Sequence, residues 1–261
     1  MYQHHLETIE KVKQHFLQDK DVLALIIGGS LVKGWGMENS DVDIMIVVTD
    51  EDFARRQAEN QILYFTRDFC DYPDGYVDGK FINISFLREV AEKGNEVARS
   101  AFVKVYPAFS HDPEIDMLLS QIPVYPEWDR ERRMTSFYSQ VIMQRWFIGE
   151  AQKRNNTYLL TRASADLTLF GGRAILAYNR ILYPYHKWFL KVLEEAPEKP
   201  ANILKLTQAV LENPTTDTAD AYINALNELR DWGIDMSQAS THFTRDSEWS
   251  WRTGFPPIHD W

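Results

Sequence analysis

Residues 22–48 read VLALIIGGSLVKGWGMENSDVDIMIVV and contain two apolar runs separated by a glycine-rich segment. The first run, residues 22–27, is short and continuously apolar and is closed by two glycines, which is typical of a strand buried on both faces. The second run, residues 42–48, has a similar length and character. The sequence therefore predicts two buried strands that pair with each other.

The segment between these strands carries two groups of residues with different chemistry. Gly28 and Gly29 let the backbone approach a ligand closely, and Ser30 stands where a helix is expected to begin, so this turn favours a bound phosphate. Asp41 and Asp43 are two residues apart at the start of a strand, which places both carboxylates on one face. Two such carboxylates repel each other unless a cation lies between them. Because Mg²⁺ takes one or two protein carboxylates together with water and phosphate oxygens, the segment predicts a site for a magnesium–nucleotide complex.

Length and charge exclude several classes of protein. The chain has 261 residues, enough for one large or two modest domains, and its 28 Lys and Arg against 38 Asp and Glu give a net charge of −10. Since nucleic-acid binders neutralise phosphates with clustered basic residues, this acidity argues against a nucleic-acid partner and for a small substrate.

The sequence also carries signals of its compartment. The single cysteine, Cys70, is expected to be a buried or partly buried free thiol, which suits a reducing environment. The first twenty residues lack the apolar core of a signal peptide, and no window is apolar over the length of a membrane span. We therefore expect a cytoplasmic protein without a membrane partner.

The first 125 residues are predicted to form an α/β unit. Besides the two strands, the pattern predicts a helix ending near Asp21, a helix over residues 50–64, a turn at residues 72–75, and strands over residues 80–87 and 101–106.

After Pro123 the sequence becomes helical and rich in aromatic residues, so we place a domain boundary near Pro126, between residues 1–125 and residues 126–261. Helices are predicted over residues 131–153, 158–182, 185–195, 203–211 and 219–232. The tail, residues 249–261, is expected to be irregular chain packed through its tryptophans. The predicted fold class is α+β, a mixed sheet flanked by helices and followed by a helical bundle.

The glycine and aspartate motifs resemble those of a known superfamily. Gly29-Ser30, Gly34 and the block Ser40-Asp41-Val42-Asp43-Ile44 are similar to the signature of the polymerase-beta-like nucleotidyltransferases, which is Gly-Ser, about ten residues, and then Asp-x-Asp or Asp-x-Glu. The resemblance covers roughly the first 110 residues. The remainder resembles, in outline only, the C-terminal domains of aminoglycoside and lincosamide nucleotidyltransferases. It implies a catalytic domain over residues 1–125 and a helical domain over residues 126–261 that closes the active-site cleft.

The resemblance implies an enzyme that moves a nucleoside monophosphate, AMP from ATP, to a hydroxyl of a small-molecule acceptor and releases pyrophosphate. It assigns Asp41 and Asp43 to catalysis and to two Mg²⁺ ions, with a single ion as the alternative. Lys187 lies in a segment similar to a helix that faces the triphosphate, although a solvated helix lysine is an equal alternative; Arg173 and Arg180 are weaker candidates. The nucleotide-binding residues expected on this basis are Gly28, Gly29, Ser30, Lys33, Ser40 and Lys187.

The third carboxylate of the family is missing at its expected place. The predicted third strand aligns Asn83 there as the third catalytic residue, and an amide oxygen can bind a metal or substrate but cannot take a proton. Asp78 serves instead if the strand register differs, although the adjacent Gly79 is typical of a turn. Three interpretations stay open: a one-metal or slow enzyme, a base from the helical domain, or a fold that has lost catalysis.

Several residues and functions remain as alternatives. Glu150 and Asp166 are most simply paired with Arg145, Arg154 or Arg162, and otherwise are candidate bases for the acceptor hydroxyl. The histidines, among them His4 and His5, lack the spacing of a zinc site and are assigned surface or structural roles. An adenylyltransferase acting on proteins and an antitoxin-like module that binds ATP without transfer are the alternative functions.

Overall fold

The computed structural model describes residues 1–254 and 258–261. The chain divides into two compact units, Met1–Val124 and Tyr125–Trp261. The predicted fold class is confirmed, because a five-stranded mixed sheet with helices is followed by further helices. Pro256 and Pro257 of the predicted tail lie outside the described residues. Within the described part of the chain, no helix has both the length and the apolar character needed to cross a bilayer.

The first unit is built around one sheet with the strand order β3-β4-β2-β1-β5. The strands are β1 (Val22–Ile27), β2 (Val42–Val48), β3 (Leu63–Thr66), β4 (Val77–Ile82) and β5 (Tyr106–Ser110). The helices are α1 (Gln3–Phe16), α2 (Gly29–Lys33), α3 (Asp50–Ala58), α4 (Ile84–Lys93), α5 (Glu96–Ser100) and α6 (Pro113–Gln121). The predicted pairing of the first two strands is confirmed, since β1 and β2 run antiparallel, whereas β2 and β4 run parallel.

The two central strands are buried on both faces, which explains their continuous apolar runs. Along β2, Val42 and Ile44 belong to one core cluster, while Met45 and Val47 belong to the other. Strand β1 divides in the same way, so the sheet separates two layers of packed side chains. This double burial fixes the register of β1 and β2 strongly.

Two predicted helix ends in the first unit are wrong, and one strand was not predicted. The helix from Asp50 ends at Ala58, and Asn60, with φ 57°, takes the left-handed conformation that stops a helix. The residues after it form β3, an edge strand in which Leu63 and Phe65 are exposed, so no buried run marks it. The first helix also ends at Phe16, before the expected end near Asp21.

The predicted strands over residues 80–87 and 101–106 are both displaced. Strand β4 begins at Val77 and ends at Ile82, because Asn83 accepts a hydrogen bond from the Phe86 backbone N–H and so caps α4. Strand β5 begins only at Tyr106, since Lys104, with φ 62°, interrupts an extended backbone.

The second unit is helical. Its helices are α7 (Arg130–Lys153), α8 (Thr157–Tyr178), α9 (Phe189–Glu195), α10 (Ile203–Glu212), α11 (Thr216–Leu229) and α12 (Met236–Phe243). The five predicted helical windows are confirmed within a few residues, and α12 was not predicted. Two ends differ because α8 stops at Tyr178, and Tyr185, with φ 71°, precedes a short 3₁₀ turn at His186–Trp188 instead of beginning a helix.

A buried arginine holds the last residues of the sequence against α8. Arg173 is 1% exposed; its Nη1 donates to the carbonyl oxygens of Ile258 (3.1 Å) and His259 (3.0 Å), and its Nη2 donates to that of Trp261 (2.6 Å). The tail therefore packs through Trp261, whereas Trp251 is 76% exposed, contrary to the expected packing of all its tryptophans.

Replacing this arginine is expected to destabilise the second unit. Arg173→Met would leave three backbone carbonyls without their charged donor, which should lower the free energy of unfolding by ~3–5 kcal/mol. Urea unfolding followed by tryptophan fluorescence measures the loss, and Arg154→Met, which removes an exposed ion pair with Glu150, is the matched control. Equal midpoints for the two variants would contradict the anchoring role of Arg173.

Candidate functional site

The glycine turn after β1 lies directly against Asp43 of β2. The Gly28 backbone N–H donates to the Asp43 carbonyl oxygen at 2.9 Å. Gly29 has φ +72°, and a Cβ built on it would stand 1.6 Å from Asp43 Oδ2. Ser30 is buried in the short helix α2 that follows. The structure thus brings the predicted phosphate turn and one predicted metal ligand into contact, and only glycine fits at position 29.

A third aspartate stands beside the predicted pair. Strands β2 and β4 are parallel, and Asp43 is the register partner of Asp78, so both side chains project from the same face of the sheet. Asp41, two residues before Asp43, precedes the strand with the same alternation. The register therefore favours Asp78, the alternative left open by the sequence, as the third carboxylate.

The Tyr76 phenol feels the charge of all three carboxylates. The charge of Asp41 raises the pKa of the Tyr76 phenol most, followed by burial and by a hydrogen bond to Asp41, and the charges of Asp78 and Asp43 add to the shift. Since a phenol held at high pKa stays protonated, Tyr76 serves as a hydrogen-bond donor to Asp41. One tyrosine hydroxyl therefore lies within the field of three acids.

Asn83 lies elsewhere. Its Nδ2 donates to Asp50 Oδ1 at 2.8 Å, and its Oδ1 accepts from Phe86 N at 2.9 Å. It follows Asp78 by five residues along β4, which is roughly 16 Å at the rise of a strand. The alignment of Asn83 with the paired aspartates is therefore wrong, because the strand begins three residues earlier than predicted.

Gly79 explains why the start of β4 was predicted too late in the sequence. The sequence suggested a turn there, but Gly79 is inside β4, and a Cβ on it would lie 2.5 Å from Ile44 Cγ1 and 2.6 Å from the Ile44 carbonyl oxygen. The glycine is thus a point of close approach between neighbouring strands.

Two lysines lie near each other close to the glycine turn. Lys33 Nζ donates to the Ser100 carbonyl oxygen at 3.2 Å; burial lowers the pKa of this lysine, the Lys104 charge lowers it further, and Asp43 opposes the shift. Neither lysine forms an ion pair with a carboxylate anywhere in residues 1–254 or 258–261. Two neighbouring ammonium groups repel each other, so this side of the turn favours an anion. Sequence spacing gave no signal for Lys104, which lies 71 positions after Lys33.

The acids fit a magnesium ion that is held mainly by substrate and water. Among the residues the structure describes, no group of three or more His, Cys, Asp or Glu is close enough to enclose a metal. Asp41 and Asp43 offer carboxylate oxygens from one face, and Mg²⁺ commonly takes only one or two protein carboxylates. The donor set at this end of β2 therefore suits Mg²⁺ bound together with phosphate oxygens.

The remaining predicted residues belong mostly to other contacts. Ser40, at the end of the glycine-rich loop, accepts a hydrogen bond at its Oγ from Met37 N (2.8 Å). Cys70 is a partly buried free thiol, as predicted. Lys187, in the second unit, is exposed in the 3₁₀ turn with its Nζ 5.5 Å from the centroid of the Trp188 ring, and its role at the nucleotide stays a prediction.

The arginines and acids of the second unit form ion pairs. Arg180 binds Glu127, and Arg173 is committed to the tail, so these weaker candidates have internal partners. The predicted pairing of the two helix acids is found as well: Glu150 pairs with Arg154 and Lys153, and Asp166 pairs with Arg162 and His259. Arg145 instead binds Asp220.

Comparisons with known proteins bear on the family. Residues 7–97 match the family model described as a nucleotidyltransferase domain. Residues 7–97 are thus similar to nucleotidyltransferase domains, and the resemblance to the polymerase-beta-like nucleotidyltransferases is confirmed at that level. The aminoglycoside and lincosamide subtype stays a prediction.

Among solved structures, the crystal structure of a nucleotidyltransferase-like protein from Exiguobacterium sibiricum 255-15 is similar over 92% of this chain and 78% of that chain, with 11% sequence identity and a TM-score of 0.47. A search of curated proteins finds no significant match.

Two glycine substitutions separate backbone strain from the contact with Asp43. Gly29→Ala combines a positive φ with a collision against the Asp43 carboxylate, whereas Gly34→Ala has φ +82° and open space around the new Cβ. We expect Gly34→Ala to cost ~1–2 kcal/mol in urea unfolding and Gly29→Ala at least ~2 kcal/mol more. Equal costs would show that Gly29 does not press on Asp43.

Proposed function

We propose that this chain transfers a nucleoside monophosphate, AMP from ATP, to a hydroxyl of a small-molecule acceptor and releases pyrophosphate, with Mg²⁺ as cofactor. The observation that carries the proposal is the contact between the Gly29 turn and Asp43, with Asp78 in register on the neighbouring strand. A turn that binds phosphate beside carboxylates that bind a metal would meet the requirement of phosphoryl-type transfer, and this supports the proposal.

The proposed phosphate side of the site consists of the turn from Gly28 to Ser30 with Lys33 and Lys104. Its backbone N–H groups and two ammonium groups would bind the phosphates that leave as pyrophosphate and take up their charge. Asp41 and Asp43 would hold the Mg²⁺, which supplies positive charge beside the transferred group when bound. Two ions follow the superfamily pattern, and one ion is the alternative.

Asp78 is the proposed general base. It is exposed on the same face as Asp43, so a hydroxyl of the acceptor can reach it, and a carboxylate can accept the proton that the hydroxyl loses on attack. Tyr76 would keep Asp41 oriented through its hydrogen bond and would not itself lose a proton near neutral pH, because its pKa is raised.

A small acceptor is supported by charge. The chain has a net charge of −10, and a polymeric nucleic acid would need a basic surface to offset this repulsion. The test is pyrophosphate release by the purified protein with Mg²⁺ and each nucleoside triphosphate, across amino-sugar, lincosamide and polyol acceptors. Mg²⁺-dependent ATP binding without release for any acceptor would favour the module that binds ATP without transfer.

The site assignment separates three kinds of variant. Asp41→Asn combined with Asp43→Asn should abolish Mg²⁺-dependent ATP binding. Asp78→Asn should keep ATP affinity within about threefold but lower turnover by ~100-fold or more, since only the base is lost. Asn83→Asp should not raise turnover, because residue 83 caps α4 at the far end of β4.

Calorimetric titration with ATP and a pyrophosphate assay measure these effects. Asp74→Asn, an isosteric change in the exposed turn before β4, is the control and should behave as wild type. A gain of turnover in Asn83→Asp, or full turnover in Asp78→Asn, would refute the assignment of Asp78.

Lys33 should make ATP binding weaken at high pH. Its ammonium binds phosphate only while protonated, and burial lowers its pKa, so the ATP affinity that it contributes should be lost as pH rises through a value below that of an ordinary lysine. Lys33→Arg should keep its charge and extend ATP binding to higher pH. The dissociation constant for ATP between pH 7 and 10 measures this shift, with exposed Lys20→Arg as control. An unchanged profile in Lys33→Arg would exclude Lys33 from the phosphate site.

A further inference from the structure

The carbonyl oxygen of Ser40, the residue before Asp41, accepts two side-chain hydrogen bonds. His5 Nε2, from α1, lies 3.1 Å from it, and the Tyr72 hydroxyl, from the turn before β4, donates to it at 2.9 Å. These donors come from positions 35 residues before and 32 residues after Ser40. Two separate parts of the unit thus meet at one peptide group next to a proposed metal ligand.

The ring of His5 is held in the tautomer that this contact needs. Its Nδ1 accepts from the Tyr2 backbone N–H at 3.3 Å, so Nε2 carries the hydrogen and donates to Ser40. His5 is fully buried, and burial, with the charge of neighbouring His4, lowers its pKa and favours the neutral ring. A neutral, oriented imidazole is suited to a fixed structural donor.

The neighbouring histidine, His4, contacts the same loop two residues before Ser40. His4 Nε2 lies 2.8 Å from the Glu38 carbonyl oxygen. The rings of His4 and Tyr72 have centroids 4.3 Å apart, and those of His5 and Tyr72 are 5.1 Å apart, so the three rings form one packed cluster. The loop from Glu38 to Ser40 is therefore held at the carbonyl oxygens of its first and last residues.

A cavity of about 420 Å³ borders the same loop and is lined by His4, Met37, Glu38, Asn39, Tyr72 and Pro73. On the strand side, the Val42 backbone N–H donates to the Tyr76 carbonyl oxygen at 3.0 Å. The backbone of Asp41 is thus fixed from both neighbours, and on the Ser40 side the fixing is done by His5 and Tyr72.

We propose that His5 and Tyr72 are positioning residues that hold the Asp41 carboxylate in place for Mg²⁺ by fixing the carbonyl of Ser40. Without the ion, Asp41 and Asp43 repel each other, and a loosely held Asp41 would move away from the pair. The two hydrogen bonds oppose that movement before the ion binds. Because Asp41 is already ordered, the entropic cost of binding Mg²⁺ is lower. This inference rests on the proposed function of the site.

The test compares variants that remove one donor at a time. Tyr72→Phe removes only the hydroxyl, and His5→Phe removes both ring nitrogens, whereas His5→Gln keeps a side-chain N–H. In calorimetric titration with ATP at increasing Mg²⁺, Tyr72→Phe and His5→Phe should each raise the half-saturating Mg²⁺ concentration on the order of fivefold, the effect of one lost hydrogen bond. His5→Gln should recover most of the wild-type value.

A second measurement does not depend on nucleotide or metal. Hydrogen exchange of the backbone amides of residues 37–43 in the free protein should be faster in Tyr72→Phe and His5→Phe than in wild type. The matched controls are Tyr64→Phe and His15→Phe, whose rings pack on Phe16 away from this loop. These controls should leave both the exchange and the Mg²⁺ requirement unchanged.

The outcomes separate the two claims. Unchanged exchange in both Tyr72→Phe and His5→Phe overturns the inference, whatever the binding data show. Faster exchange with an unchanged Mg²⁺ requirement also overturns it, because the loop would then be ordered without serving the ion. A wild-type protein that binds no nucleotide with Mg²⁺ overturns the proposed function, and the positioning role with it. If His5→Gln does not recover the wild-type Mg²⁺ requirement, the positioning role of His5 is overturned and Tyr72 alone holds the Ser40 carbonyl.

Discussion

The central constraint in the first unit is that the Asp43 carboxylate leaves no room for a side chain at Gly29. At this point a buried strand ends, a short helix begins and a second buried strand starts, and the Gly28 N–H to Asp43 carbonyl hydrogen bond holds the two chain segments together. The left-handed turn at Gly29 presents backbone N–H groups on one side, and the carboxylate remains on the other. One backbone conformation therefore determines both the strand junction and the proposed phosphate and metal sides of the site.

Much of this arrangement could be predicted from the sequence, since burial on both faces leaves a continuous apolar run. Strands β1 and β2 were located for that reason, and Asp41 and Asp43 were placed by strand alternation alone. Strand β3 was missed because an edge strand with Leu63 and Phe65 exposed has no such run. Asn83 was misplaced because apolar residues on both sides of a helix cap have the spacing of a strand. Lys104, His5 and Tyr72 reach the site only through tertiary folding, which no local spacing records.

The charge of the chain has a different meaning once its distribution is known. An overall value of −10 argues against polyanions in general, but it does not describe the region of the glycine turn, where Lys33 lies within the field of both Lys104 and Asp43. Such a mixture of opposite charges suits the proposed phosphate chain that carries its own counter-ion. Arg173 in the second unit shows the contrasting use of a cation, since its donors are directed to backbone carbonyls inside the protein.

The parallel register of β2 and β4 ties the direction of Asp78 to the packing of the core. Asp78 faces the same side as Asp43, whereas its neighbour Val77 packs into one hydrophobic layer and Ile82 packs into the other. A shift of one residue would turn the acid to the opposite face and push apolar side chains out of both layers at once. A chain that keeps this core therefore keeps position 78 on the face of Asp43, whatever side chain stands there.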